Sequence, residues 1–470
     1  MDQKFSEVKA FIEKNDIKYI DFKMTDIRGR WKHLTIPAHR FTENIMTDGV
    51  GFDGSNYGYA SVKKSDMVFI PDLSSAHLDP FLTENTLSMI GDVMVIDKIN
   101  YPFAQYPRNV ARRALAFMKE SGIADEMIIG PEYEFHIFDR IENEVSPLQM
   151  KYAINASENS FSQSNGFNNA PHDGYHSALP NDPTFDLRNE ICSNLADFGV
   201  DVKYHHHEVG GSGQLEIETS LGEMLKLADD TMAVKYIVRN TARSHGKTAC
   251  FLPKPIYGEA GNGMHVHMIL KKDGQPVFYD ENGYCQLSQT AMYFIGGLLK
   301  HVKAICAFAN PLTNSYRRLV PGFEAPVTIG YASANRSSVI RIPSYAKNPG
   351  VKRFELRSPD ATCNPYYTYA AILMAGLDGI INRIDPVDHN WGPFDINLFE
   401  LSDAEKKKLD HLPTSLSQAI EELEKDHDFL TRGEVFTDEL LKNWTNMLKK
   451  DVAALERIPN PAEINLYYNI

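Results

Sequence analysis

The segment His205–Glu218, HHHEVGGSGQLEIE, sets three histidines ahead of Glu208, bends through glycine, and then alternates Glu216 and Glu218 with apolar residues. Carboxylates that frame a Gly-rich turn beside histidine form the sort of cluster that a divalent metal ion holds together. That chemistry requires matching ligands elsewhere, and three further segments supply candidates. In MIIGPEYEFHIF (127–138), a strand would place Glu132, Glu134 and His136 on one face and Tyr133, Phe135 and Ile137 on the other. In QLEIE the shared polar face is Gln214, Glu216 and Glu218; in GNGMHVHMIL it is His265 and His267; in VKRFELRS it is Arg353, Glu355 and Arg357. Taken singly, the 127–138 segment reads equally well as a half-exposed strand with a solvated acidic face, and a solitary histidine is more often a satisfied core residue. One sheet with a polar concave face would gather all four.

The ligand types sort by chemistry. Glutamates with one or two histidines and no cysteine favour Mg²⁺ or Mn²⁺ over structural zinc. Several carboxylates together can sustain more than one divalent ion, as phosphoryl transfer requires. Arginine supplies the complement: Arg317, Arg318, Arg336, Arg341, Arg353 and Arg357 fall close together in an otherwise acidic chain. Guanidinium forks match phosphate and carboxylate oxygens, and surface ion pairing accounts for two or three of these residues. It accounts less well for NRSSVIRIP, whose two arginines sit among apolar residues.

Two phosphate-binding patterns are excluded. Residues 49–54, GVGFDG, match GxGxxG in form, but no apolar strand precedes them and SNYGYAS does not continue as a helix. Gly246-Lys247-Thr248 resembles the end of a P-loop, yet Thr241 stands where the earlier glycine is required.

Positioning these groups takes a large framework. The chain has 470 residues, 43% apolar and 23% charged, which suits a globular protein of two domains or one elaborated domain. A net charge of −14 argues against a nucleic-acid partner. Five scattered cysteines without a CxxC pair predict reduced thiols. The start, MDQKFSEVKAFIEKND, carries Phe5, Val8, Phe11 and Ile12 at helical spacing and is no signal peptide. The apolar run at 369–377 is too short to span a bilayer, so a cytoplasmic protein without a membrane partner is expected. After the first helix, the pattern predicts strands at IKYIDFKMTD, RWKHLTIP, DMVFIPD and TLSMIGDVMVI. A helix from Pro107 through Lys119 follows, then a long loop over 142–189 and helices at 186–198, 221–245, 288–309 and 364–383. The tail carries a helical hairpin pattern over 403–426 and 434–456.

At these residues the chain resembles bacterial type I glutamine synthetase over essentially its full length. The matching segments are FDGSN, GPEYEF, HHHEVGGSGQLEIE, FLPKPIYGEAGNGMHVH, NSYRRLVPGFEAPV, NRSSVIRIP, RFELRSPD, NPYYTYAAILMAGLDGI and LYYNI, all in order. The resemblance implies an α+β fold: a small N-terminal β-grasp domain over 1–103 and a catalytic domain over 104–470 with a C-terminal helical tail. The catalytic domain would hold an antiparallel sheet funnel of the glutamine synthetase/guanido kinase-like class. It further implies a homo-dodecamer of two hexameric rings. There the FDGS loop of one subunit completes its neighbour's site, and the aromatic tail plugs into the opposite ring.

Carried over by motif, Glu134, Glu208 and Glu216 would hold one metal ion, and Glu132, His265 and Glu355 another. Two or three Mg²⁺ or Mn²⁺ ions per subunit and ATP as co-substrate are implied. The implied reaction joins ammonia to L-glutamate through γ-glutamyl phosphate, giving L-glutamine, ADP and phosphate, a step of nitrogen metabolism. Arg336 would clamp the transferring phosphoryl group, and Arg341, Arg353, His206 and His267 would approach the nucleotide. Arg318, Arg357 and the Gly261 backbone would hold glutamate. Asp53 would bind ammonium with Tyr175, Glu208 and Glu324, and Glu324 would close over the acyl phosphate.

Departures from the family pattern are Ala260 for asparagine near glutamate, Asn56 for serine near ammonium, and Ile269 for serine near adenine. The residue at the family's adenylylation position is Phe399, which has no hydroxyl to modify. Two alternatives stay open beside the ammonia ligase. A γ-glutamyl–amine (polyamine) ligase is weakened by retention of Asp53 and Glu324, and a catalytically silent relative by retention of all six metal positions.

Overall fold

The computed structural model describes residues 3–60, 65–158, 166–323, 325–333, 336–396, 402 and 409–468. The first helix, Gln3–Lys14, buries Phe5, Val8 and Ile12 on one stripe and leaves Phe11 exposed. Two small sheets follow. One has the order Trp31–Pro37, Tyr19–Thr25, Thr86–Met89, His77–Leu78, with Tyr19–Thr25 and Thr86–Met89 parallel. The other runs Val50–Asp53, Asp66–Pro71, Gly91–Val95, Tyr101–Pro102. The segment TLSMIGDVMVI, expected as one strand, is thus shared between both sheets. The break falls near Gly91, where a Cβ would lie 2.1 Å from the Ile70 carbonyl oxygen, so only glycine fits the crossing.

The principal sheet runs in the order Val202–His207, Gln214–Thr219, Glu126–Phe138, Val266–Lys272, Phe354–Leu356, Ser338–Ile342, Thr328–Ser333. Its pairs are antiparallel except the last, which is parallel. All four segments singled out for their alternating polar faces are adjacent members of this one sheet. Helices Phe185–Asp197, Met224–Ser244, Gln289–Ala309 and Pro365–Asn382 lie within a few residues of their expected bounds. Gln289–Ala309 is, among the described residues, the helix long and apolar enough to cross a membrane, but 83% of its apolar window is buried in the core. It packs on Pro365–Asn382 at close range: a Cβ on Gly297 would stand 2.1 Å from the Ala375 carbonyl oxygen.

Two expectations need correction. The stretch 142–189 is not one loop, because Arg140–Val145 and Met150–Asn155 pair as an antiparallel hairpin. The first arm of the tail hairpin does not include 409–415. His411 bridges to Thr328, and the helix Leu416–Lys425 starts only after Pro413, with Ser415 capping the Gln418 amide. Residues 403–408 of that arm lie outside the described residues.

One buried guanidinium is among the ties between the N-terminal sheets and the rest of the chain. Arg108 donates to Asp72 at 2.8 Å, Asp92 at 3.2 Å and Asp229 at 3.0 Å. A charge taken from water is tolerated there because three carboxylates surround it.

Candidate active site

Strand register brings the carboxylates together. Glu134 lies opposite Glu216, Glu132 opposite Glu218, His206 opposite Glu216, and His267 opposite Glu355. Two groups of ligand atoms result, each mutually within 4.8 Å: Glu134, Glu208 and Glu216, and Glu132, His267 and Glu355. The second group differs from the expected set by one histidine. His265 precedes the ladder, which begins at Val266, and bridges both groups: its Nδ1 is 2.9 Å from Glu132 and its Nε2 3.8 Å from Glu134. His267 Nε2 sits 2.8 Å from Glu132 and 3.1 Å from Glu355.

The two groups are electrostatically unlike. In the histidine-bearing group, burial opposes ionisation, yet His267 and His265 hold Glu132 well below the usual carboxylate range, and His267 likewise lowers Glu355. His267 is raised in return, the two carboxylates outweighing burial. In the other group, burial and then the Glu134 and Glu216 carboxylates push Glu208 up to about 9. Burial, followed by Glu132 and Glu134, drives Glu216 well above its ordinary value. Carboxylates packed this closely either take up protons or gather a cation. An all-oxygen trio flanked by a mixed oxygen and nitrogen set fits two hard divalent ions.

All residues of the two groups except the fully buried His267 line a cavity of about 420 Å³, together with Arg318, Arg336, Arg341 and Arg357. Arg341 donates to Glu355 at 3.0 Å. Arg357 approaches the same carboxylate at 3.3 Å and donates to the Arg336 carbonyl. Arg318 is buried, with its guanidinium on the carbonyls of Ser358 (2.8 Å) and Arg357 (3.1 Å). Burial lowers Arg318 and Arg357 from the ordinary arginine value, as expected of cations without full carboxylate compensation. Gly261 is demanded by packing: a Cβ would meet the Pro253 carbonyl oxygen at 2.3 Å and Arg318 Cγ at 3.0 Å. Gln214 donates to the Gly261 carbonyl at 2.9 Å and so fixes that loop.

The opening histidines divide. His206 lies 3.3 Å from Glu216 and meets Tyr175 edge-on, and both line the cavity. His205 accepts from Arg188 and packs near Phe185; His207 is fully buried against Glu158 at 3.0 Å. Both are structural, as is Glu218, paired with Lys203 at 2.6 Å. His136 shares the parity of Glu132 and Glu134 but is buried against Asn262, at 2.9 Å.

Four expected residues fall elsewhere. His267, expected beside the nucleotide, is fully buried behind Glu132 and Glu355 and does not line the cavity. Arg353 does not line the cavity; it packs 5.5 Å from the ring of Tyr345, which does. Asp53 ends the exposed strand Val50–Asp53, bonded to Ser55 and Asn56, and lines no part of this chain's own cavity. Glu324 lies outside the described residues, as does Phe399. Lining residues that sequence reading missed include Lys203, Tyr204 and Tyr345. A register shift between Val202 and Tyr204 re-aims Lys203, which strand parity would have grouped with His205 and His207.

This architecture, a carboxylate trio and four arginines lining one cavity, suits the metal-assisted phosphoryl transfer of an ATP-dependent ligase. The description "Glutamine synthetase, catalytic domain" fits residues 104–467, and "Glutamine synthetase, beta-Grasp domain" fits residues 16–96. The chain is 43% identical over 477 residues to glutamine synthetase of Frankia alni, covering 99% of each. It is 42% identical over 478 residues to that of Streptomyces coelicolor, covering 100% of each. Among solved structures it is similar to Plasmodium falciparum glutamine synthetase, with a TM-score of 0.88, 28% identity, and 99% and 98% of the two chains covered. It is also similar to apo GmaS, with a TM-score of 0.81, 27% identity, and 98% and 99% covered. The chain belongs to the glutamine synthetase family, and its activity is the ATP-dependent ligation of ammonia to L-glutamate.

Proposed function

We propose that the cavity runs this ligation through γ-glutamyl phosphate with the following division of labour. Glu134, Glu208 and Glu216 would hold one divalent ion and Glu132, Glu355 and a histidine the second, with His265 and His267 both within reach of the first coordination sphere. Ions bound there would neutralise charge on the transferring phosphoryl group. Arg318, Arg357 and the Gly261 backbone orient L-glutamate so that its γ-carboxylate faces the ATP γ-phosphoryl. Arg336 gathers the equatorial oxygens as charge shifts onto them, Arg341 meets the nucleotide phosphates, and His206 approaches the nucleotide, with Arg353 acting from behind Tyr345. Glu324 closes over the acyl phosphate and keeps water from it. Asp53 and Tyr175, beside Glu208, receive ammonium and take its proton before nitrogen attacks the acyl carbon. The observation that carries this reading is that the carboxylate trio and four arginines line one cavity of about 420 Å³.

The domain boundary falls at 103/104, and the working form is a homo-dodecamer of two hexameric rings with sites shared between neighbours. Asp53, exposed and absent from its own chain's cavity lining, supports the shared sites, and the exposed apolar residues Ile464, Leu466 and Tyr467 of the terminal helix Pro461–Tyr467 support the pairing of rings. Subunit mixing tests this. Asp53→Ala and Arg336→Gln homomers should each be nearly inactive, and hybrids formed by co-expression should regain activity through sites that receive both wild-type residues. Hybrids no more active than either parent would sink the shared-site arrangement. Adenylylation at Phe399 is excluded on chemical grounds, and incorporation of labelled AMP at that residue would overturn this.

A further inference from the structure

A second cavity, of about 170 Å³, lies away from the catalytic one, where three parts of the chain meet. The turn Asp26–Arg30 contributes Arg28, Gly29 and Arg30, the helix Met224–Ser244 contributes Lys235 and Arg239, and the helix Asp438–Leu455 contributes Trp444, Met447 and Leu448. Pro311, Leu312, Ala361 and Thr362 close it. The junction is tight: a Cβ on Gly29, whose φ is +75°, would stand 2.7 Å from Asn364 Cα.

Four cationic residues therefore line a small space, and only two of them are held in ion pairs among the described residues. Arg28 is held by Asp451 through two hydrogen bonds, 2.7 and 2.9 Å, and Arg30 by Asp26 at 2.8 Å. Lys235 and Arg239 have no ion pair among the described residues. The Lys235 ammonium is buried and reaches only two carbonyls, those of Ala361 at 3.2 Å and Cys363 at 3.1 Å. An ammonium carries three donors, so one remains. Arg239 lies over the Phe251 ring at 5.1 Å, an aromatic face that steadies the guanidinium without cancelling its charge. The two are four residues apart on one helix, where like charges repel. Burial pushes Lys235 down to about 8, with Arg239 adding to the effect and Cys363, Asp360 and Asp26 opposing it in part.

We infer that this junction is a binding site for a small oxyanion of the phosphate class, held by Lys235 and Arg239 with Arg28 and Arg30 at its rim. The volume accepts a phosphate group and a few further atoms, but not a nucleotide. Its position links it to the glutamate end of the catalytic cavity. Pro311 and Leu312 lead directly into Ser315–Arg318, and Ala361 and Thr362 follow the Ser358 carbonyl that holds Arg318. An occupant would brace both segments.

The test is calorimetric titration of inorganic phosphate into the full-length protein without metal or nucleotide, using wild type, Arg239→Gln, Lys235→Met and Arg336→Gln. Arg239 reaches solvent, so its variant should fold even if the buried Lys235→Met does not. The expected result is a binding event that persists in Arg336→Gln, which removes one of the four catalytic-cavity arginines and leaves the second cavity untouched. In Arg239→Gln the same event should weaken by about tenfold or more. Equal phosphate affinity in wild type and Arg239→Gln, or loss of all binding in Arg336→Gln, would overturn the assignment. The catalytic reading is unaffected by either outcome.

Discussion

Replacing Gly261 by alanine is the smallest change that should disable glutamate binding while leaving the metal ligands in place. The added Cβ would sit 2.3 Å from the Pro253 carbonyl oxygen and 3.0 Å from Arg318 Cγ. Neither neighbour yields easily. The carbonyl is backbone, and Arg318 is pinned by hydrogen bonds to Ser358 and Arg357. Restoring an ordinary contact requires a shift of about 1 Å, shared between the 260–263 loop and Arg318, and a misplacement of that size costs about 10²-fold in rate. Steady-state kinetics of Gly261→Ala should therefore show kcat/KM for glutamate down about 100-fold. The KM for ATP should stay within about threefold, because His206 and Arg341 lie on other strands. Wild-type kcat/KM for glutamate in this variant would refute the packing argument, and an equal loss on the ATP side would show that the whole cavity had collapsed.

Other outcomes follow from the same geometry. Glu216→Gln removes one oxygen charge from the trio, so manganese titration should find one ion fewer per subunit and activity should drop by about 10²-fold or more; unchanged stoichiometry would contradict the ligand role. Glu324→Ala should release phosphate from ATP and glutamate faster than it makes glutamine, whereas equal loss of both rates would argue against shielding. His301 lies 2.9 Å from Asp378 and 2.8 Å from Asp426, and these carboxylates raise it against burial, while His301 helps bring Asp378 down to about 2. A raised histidine stabilises fully below its unfolded value of 6.5 and loses that contribution as pH rises through the folded value, while the Asp378 contribution is lost as pH falls from 3.8 towards about 2. Thermal unfolding should accordingly show a larger deficit for His301→Gln at about pH 6 than at about pH 9, and a constant deficit would remove the charge pairing from the account.

Much of the site was legible because a strand alternates with period two, and that period survives in any context. Glu132 and Glu134, Glu216, and Glu355 declared their faces from spacing alone. Adjacency was not legible, since nothing local says that Glu134 pairs with Glu216 or His267 with Glu355. Where regular pleating begins or breaks, parity misleads: His265 precedes the ladder, and the shift at Val202/Tyr204 turns Lys203 into the cavity. His136 shows the converse, since correct parity still left it buried against Asn262. In the fold, amphipathic and apolar helices were readable from periodicity, and Pro107 fixed a helix start. The hairpin within 142–189 was hidden by a loop-like composition, because its strands carry Asn, Glu and Lys on both exposed faces. TLSMIGDVMVI hid its division because only the approach of the Ile70 carbonyl, distant in sequence, explains Gly91.

The central claim is that this cavity joins ammonia, in preference to larger amines, to a phosphorylated glutamate. The most direct measurement is ATP-dependent phosphate release and amide formation from L-glutamate with ammonium, compared with a panel of alkylamines and polyamines under the same conditions. Turnover with ammonium giving glutamine and phosphate in equal amounts, and far slower turnover with the amines, is the predicted result. Turnover with an amine and none with ammonium would contradict it.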